Sequence, residues 1–113
     1  EIMDISIEQM NGADVVVLSG RLDAAGAPEM ESSCRQRIDE GARRLLLDMG
    51  GVEYVSSAGL RSLLVLAKAI KTAGGTMVLC GLTDTVREVM TISGFDNILT
   101  LATDRAAALD LLN

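Results

Sequence analysis

The hydrophobic period switches repeatedly along this chain, and that switching constrains the fold more than any other feature. Residues 3–8, Met-Asp-Ile-Ser-Ile-Glu, alternate apolar with polar, the period of a half-exposed strand. Asn11-Gly12 follows, a pair suited to a tight hairpin. Then Val15, Val16, Val17 and Leu18 form an unbroken apolar run. Such a run fits a strand buried on both faces, so an antiparallel hairpin with its first strand at a sheet edge is expected. After a loop at 20–26, Pro28 suits a first helical turn. Met30, Cys34 and Ile38 recur at helical spacing, and Gly41 is placed to close the helix. Residues 44–49 read as a central strand. A second helix ends near Ala73, before Gly74-Gly75, and 76–80 read as another buried strand. Thr83 or Asp84 caps a third helix carrying Val86, Val89 and Met90, which stops at Ser93-Gly94. A short strand over 97–101 and a terminal helix over 104–112 complete the order β-β-α-β-α-β-α-β-α. That order predicts an α/β fold of one domain, 1–113, with a mostly parallel five-stranded sheet, an antiparallel edge strand and about four helices.

With aromatic residues at 2%, Tyr54 and Phe95 alone, the core must be aliphatic. The net charge of −6 argues against a nucleic-acid backbone as partner, and the basic residues are scattered, with no run longer than Arg43-Arg44. No segment reaches the ~20 apolar residues that span a bilayer. The acidic, alternating start is unlike a signal peptide, so a cytoplasmic protein without membrane attachment is expected. Cys34 and Cys80 lack CxxC spacing and read as buried free thiols of a reducing compartment.

Histidine is absent, which removes the commonest general acid/base and metal ligand. Gly74-Gly75-Thr76 lacks the lysine and spacing of a phosphate loop, and 20–26 contains no GxGxxG. Asp48 and Glu53 flank an expected turn, where a strand-end carboxylate and a solvated one account for them better than a catalytic pair. Met30, Met77 and Met90 fall at core-facing positions and read as gap fillers. No enzyme, cofactor or metal is expected.

The adjacent Ser56 and Ser57 precede the second helix. Advancing 100° per residue from Ser57 gathers Leu60, Leu63, Leu64, Ala67 and Ile70 on one side, toward the sheet. Ser57, Arg61, Val65, Lys68 and Thr72 fall opposite. Ser57 is therefore expected to be exposed, and Ser56 inward or bonded to local backbone. Two readings of Ser57 follow: a helix cap contributing ~1 kcal/mol, or a phosphorylation switch. A phosphoryl charge of about −1.5 to −2 is well tolerated at a helix N-terminus. Val65, apolar within the polar stripe of Ser57, Arg61 and Lys68, suggests a docking surface.

The segment Leu47-Asp48-Met49-Gly50-Gly51-Val52-Glu53-Tyr54-Val55-Ser56-Ser57-Ala58-Gly59-Leu60 resembles the signature of STAS domains, most of all the bacterial anti-sigma-factor antagonists. Gly20-Arg21-Leu22-Asp23 is similar to that family's G-x-L-D loop. Gly74-Gly75 and Ser93-Gly94-Phe95 also fall where the family has them, and the resemblance covers essentially the whole chain. It implies the STAS fold and a partner switch. The unphosphorylated protein binds an anti-sigma factor, often itself a serine kinase, and so frees a sigma factor. The kinase turns the antagonist off by phosphorylating a serine, and a PP2C-type phosphatase reverses this. Aligned on Gly59-Leu60, that serine is Ser57, with Ser56 the alternate acceptor. Many members carry aspartate where this chain has Ser56. The implied partner surface comprises Asp23, Ser56, Ser57, Gly59, Arg61, Val65 and Lys68. Asp23 has an equally weighted structural reading, a loop carboxylate bonded to nearby amides. A monomer or weak dimer is expected. The alternatives are a STAS scaffold or accessory subunit of a stress-sensing or lipid-transport complex without phospho-switching, a nucleotide-binding domain, and the STAS tail of an anion transporter.

Overall fold

A computed structural model describes residues 3–113 of the chain. Strand β1 (Asp4–Met10) pairs antiparallel with β2 (Ala13–Leu22) through the turn at Asn11-Gly12. Asn11 and Gly12 both have positive φ, 52° and 79°, as a two-residue hairpin with right-handed strand twist requires. Helix α1 (Ala27–Asp39), β3 (Arg44–Val55), α2 (Ser57–Thr72), β4 (Thr76–Cys80), α3 (Asp84–Ser93), β5 (Thr100–Ala102) and α4 (Arg105–Leu112) follow. The sheet order is β1-β2-β3-β4-β5, with every pair after the first parallel. The expected mixed α/β sheet with an antiparallel edge and four helices is what forms.

Both faces of the sheet are covered, which accounts for the unbroken apolar runs. Val16, Leu18, Leu45, Leu47 and Leu79 pack toward α1, α2 and α3, against Met30, Cys34, Leu63, Leu66, Ile70 and Met90. Val15, Leu46 and Val78 alternate to the other face, under Ala108 and Leu112 of α4. Each fully buried Leu or Ile contributes roughly 1.5–3 kcal/mol of transfer free energy. Both α1 and α2 end in a glycine reversal in which Gly41 or Gly74 turns the chain, and the next amide reaches back to the Arg37 or Ile70 carbonyl at 2.9 and 2.8 Å.

Four local expectations are corrected. β2 continues through Gly20-Arg21-Leu22, which was expected to be loop, and β3 continues through Val55, placing Glu53 inside a strand rather than past a turn. The reason is close strand approach. A Cβ at Gly51 would lie 2.6 Å from the Ser19 Cβ, so the glycine lets the strands run on together across two register shifts. Residues 95–97 form a 3-10 turn, leaving β5 only Thr100–Ala102. The fourth concerns α2. Leu66 is fully buried and Ser62 nearly so, whereas Leu64 and Ala67 are half-buried. The buried arc is turned roughly 60° from the expected one, because α1 packs alongside α2 and the Ser62 hydroxyl donates to Glu31 of α1 at 2.9 Å.

Cys34 and Cys80 are free and buried on opposite faces of the sheet. Burial pushes the Cys34 thiol up to about 12 and the Cys80 thiol up to about 11, with Asp14 and Asp48 respectively adding to the rise. No helix among the described residues is long and apolar enough to cross a membrane.

Candidate functional site at the start of α2

Parallel pairing of Arg21 with Tyr54 and Leu22 with Val55 brings the ends of β2 and β3 level. The Ser56 amide donates to the Leu22 carbonyl at 3.0 Å, so the loop after β2 and the start of α2 are tied together by backbone. Gly59 makes this approach possible. A Cβ there would sit 2.3 Å from the Leu22 carbonyl oxygen and 2.9 Å from its Cγ.

On this frame Ser56 is the N-cap. It is half-buried, with extended backbone, and its Oγ accepts the Gly59 amide at 3.2 Å. Its carbonyl takes the Leu60 amide at 2.9 Å. Ser57 is the first helical residue and is exposed. Amides at this end of a helix lack intrahelical acceptors, and the helix dipole places partial positive charge there. Arg61, one turn further, is exposed, and α2 carries no acidic residue at all.

Asp23 sits in the loop facing this start. Its Oδ1 accepts the Ala25 and Gly26 amides at 3.0 and 3.1 Å, and its Oδ2 meets Arg21 Nε at 3.4 Å. The Gly26 amide foremost, with the Ala25 amide and the Arg21 guanidinium, holds the Asp23 carboxyl below its ordinary value against partial desolvation. Arg21 in turn lies over the Tyr54 ring, 4.4 Å from its centroid. The carboxylate therefore shapes the loop through local amides, as the structural reading of Asp23 has it, while remaining partly accessible beside α2.

The other nominated residues divide. Arg61 and Lys68 are exposed on the stripe with Ser57. Val65 is half-buried and faces α1, so it lines the side of the stripe rather than its middle. Gly59 is buried and positions the helix, with no surface of its own to offer. The Arg21–Tyr54 stack was not foreseen. Its signal was the G-R-L-D segment itself, but pairing Arg21 with Tyr54 required knowing that β2 and β3 extend past Gly20 and Gly51.

A five-stranded mixed sheet with this serine-headed second helix defines a STAS domain, and the chain belongs to that family, whose model matches residues 4–108. Among its relatives is BtrV of Bordetella bronchiseptica, assigned as an anti-sigma factor antagonist. It is 40% identical over 106 residues, covering 94% of this chain and 91% of the relative. The fold also superposes on an anti-sigma factor antagonist of Mycobacterium paratuberculosis with a TM-score of 0.88 at 23% identity, covering 97% and 93% of the two chains. The phosphorylated form of the Bacillus cell fate determinant SpoIIAA matches with a TM-score of 0.72 at 20% identity, covering 97% and 100%.

Proposed function

We propose that the chain is an anti-sigma factor antagonist whose unphosphorylated form binds an anti-sigma factor and releases a sigma factor, and that phosphorylation of Ser57 turns it off. The observation that carries the reading is the position of Ser57: exposed, at the first residue of α2, on a start pinned by the Ser56–Leu22 hydrogen bond. Addition of a phosphoryl group there leaves the packed core untouched. It places about −1.5 to −2 of charge against open amides, one turn from Arg61. Ser56 is the poorer acceptor, since its Oγ is half-buried and engaged by the Gly59 amide. The name borne by the 40%-identical relative supports the partner class. The kinase is then the anti-sigma factor or a protein bound to it, and a PP2C-type phosphatase resets the switch. Asp23, Arg61 and Lys68 belong to the surface the partner covers, which acts in the cytoplasm on a monomer or weak dimer.

The test is a pull-down from the native cytoplasm with wild-type, Ser57→Ala and Ser57→Glu protein, read by mass spectrometry together with the phosphorylation state. Ser57→Ala is expected to retain a kinase-like anti-sigma factor and to carry no phosphate. Ser57→Glu is expected to lose the partner, though one carboxylate imitates phosphate only in part. Stoichiometric phosphorylation of Ser57→Ala at Ser56 would refute the site. Equal recovery of scaffold or transporter components by all three would refute the switch.

A further inference from the structure

Charge is unevenly distributed over this molecule. The chain carries −6, yet α2 contains Arg61, Lys68 and Lys71 and no acid, leaving −9 on the remaining residues. Beyond Ser57, α1 and α2 run beside each other and leave an open groove of about 580 Å3 between them. Its floor is apolar, formed by Ile38, Val65 and Ala69. Its rims are cationic, Arg35 and Arg43 on the α1 side and Lys68 on α2, with one acid, Asp39, in the wall. Arg43 donates to the Ile38 and Ala42 carbonyls at 3.0 and 2.8 Å, which fixes its guanidinium at the end of α1. Among the described residues the ion pairs engage Arg21, Arg37 and Arg105, so none of the three rim cations is neutralised.

We infer that this groove receives an acidic amphipathic helix of the protein partner, its apolar ridge on Ile38, Val65 and Ala69 and its carboxylates against Arg35, Arg43 and Lys68. The lining residues of α2 run from Val65 to Thr72 at spacings of three and four, and span ~10 Å, about two turns of a helix laid alongside. Cations on both rims of an apolar floor match a helix with acids flanking its apolar ridge. A bilayer surface is a poorer match, because the apolar atoms are recessed below the charges. The inference rests on the reading of the chain as a partner-binding antagonist and adds the chemistry of the partner's contacting segment.

The probe is a synthetic peptide of about three turns with Leu at i, i+3, i+4 and i+7 and Glu between, titrated into the isotope-labelled full chain while backbone amide shifts are followed. Shifts are expected to centre on Arg35, Ile38, Val65, Lys68 and Ala69 and to weaken with added salt. The same peptide with Lys for Glu is expected to leave them unmoved. The double variant Arg35→Glu, Lys68→Glu, both exposed positions, should keep the wild-type melting curve and lose ~10-fold or more in peptide affinity. Ser57→Glu should leave peptide affinity unchanged, because Ser57 lies outside the groove, so failure of the switch and failure of the groove are read separately. Absent or scattered shifts, or equal binding of the Lys peptide, would overturn the inference. So would the same shifts produced by phosphatidylglycerol vesicles, or by concentrating the chain alone, which would assign the groove to a membrane or to a second copy.

Discussion

Replacing Gly59 with alanine tests the geometry on which the site depends. In an exposed helix interior the change from glycine to alanine stabilises by about 0.8–1 kcal/mol. Here the new Cβ would lie 2.3 Å from the Leu22 carbonyl oxygen, a backbone atom, and 3.1 Å from a Val55 methyl. Contact at an ordinary ~3.4 Å requires the start of α2 to withdraw by about 1 Å, and such overpacking costs typically 1–3 kcal/mol. Withdrawal also stretches the 3.0 Å bond from the Ser56 amide to the Leu22 carbonyl, worth about 0.5–1.5 kcal/mol. After the helix-propensity gain is set against these, Gly59→Ala should destabilise by roughly 1–3 kcal/mol, or lower Tm by about 4–13 °C. Urea unfolding followed by circular dichroism, with a matched thermal melt, measures this directly. Partner binding should fall as well, because Ser57 and Asp23 no longer hold their relative position. A variant as stable as the wild type, or more stable, would refute the close approach and with it the account of how Ser57 is placed.

The paired serines should separate in stability. Ser56→Ala removes the cap and is expected to cost about 1 kcal/mol by urea titration, whereas exposed Ser57→Ala should stay within ~0.5 kcal/mol of wild type. Asp23 gives a pH signature. Its folded-state carboxyl is held below the ordinary aspartate value by the Gly26 and Ala25 amides, so its contribution is fully present above that ordinary value and is lost as the pH falls through the lower folded one. Acid unfolding of Asp23→Asn should therefore be flatter below pH ~4 than that of the wild type, and identical steepness would refute the loop's dependence on the carboxylate. Both thiols should resist a disulfide reagent at pH ~8 in the native state and react in denaturant, since only the thiolate attacks and burial holds Cys34 up to about 12 and Cys80 up to about 11.

Much of the fold is legible in local pattern, because each signal is a short-range one. The turn at Asn11-Gly12, the helix stops at Gly41 and Gly74 and the cap at Thr83 depend on a few consecutive residues. The unbroken runs at 15–18 and 45–47 announce strands buried on both faces. What misled was glycine whose purpose is tertiary. Gly20, Gly50 and Gly51 look like turn residues, yet they lie within paired strands, and a Cβ on Gly51 would meet Ser19 of the neighbouring strand.

At the site the division follows the same line. The amphipathic period of α2 places Ser57, Arg61 and Lys68 on its exposed side, and the resemblance of residues 47–60 to the STAS signature singles out Ser57. Neither could reveal that Gly59 is the contact point of the helix or that Arg21 lies over Tyr54. A helical wheel knows the helix but not its neighbours. α1 packs along one flank of α2, which turns the buried arc toward Ser62 and Leu66 and moves Val65 from open surface to the apolar floor of a groove. Sequence by itself determined the elements, their order and which helix start carries the serine, because these depend on period and capping. Tertiary structure alone decided which residues meet at that start and in the groove beyond it, because Leu22 and Gly59, or Ile38 and Val65, come together only when separate elements close on one sheet.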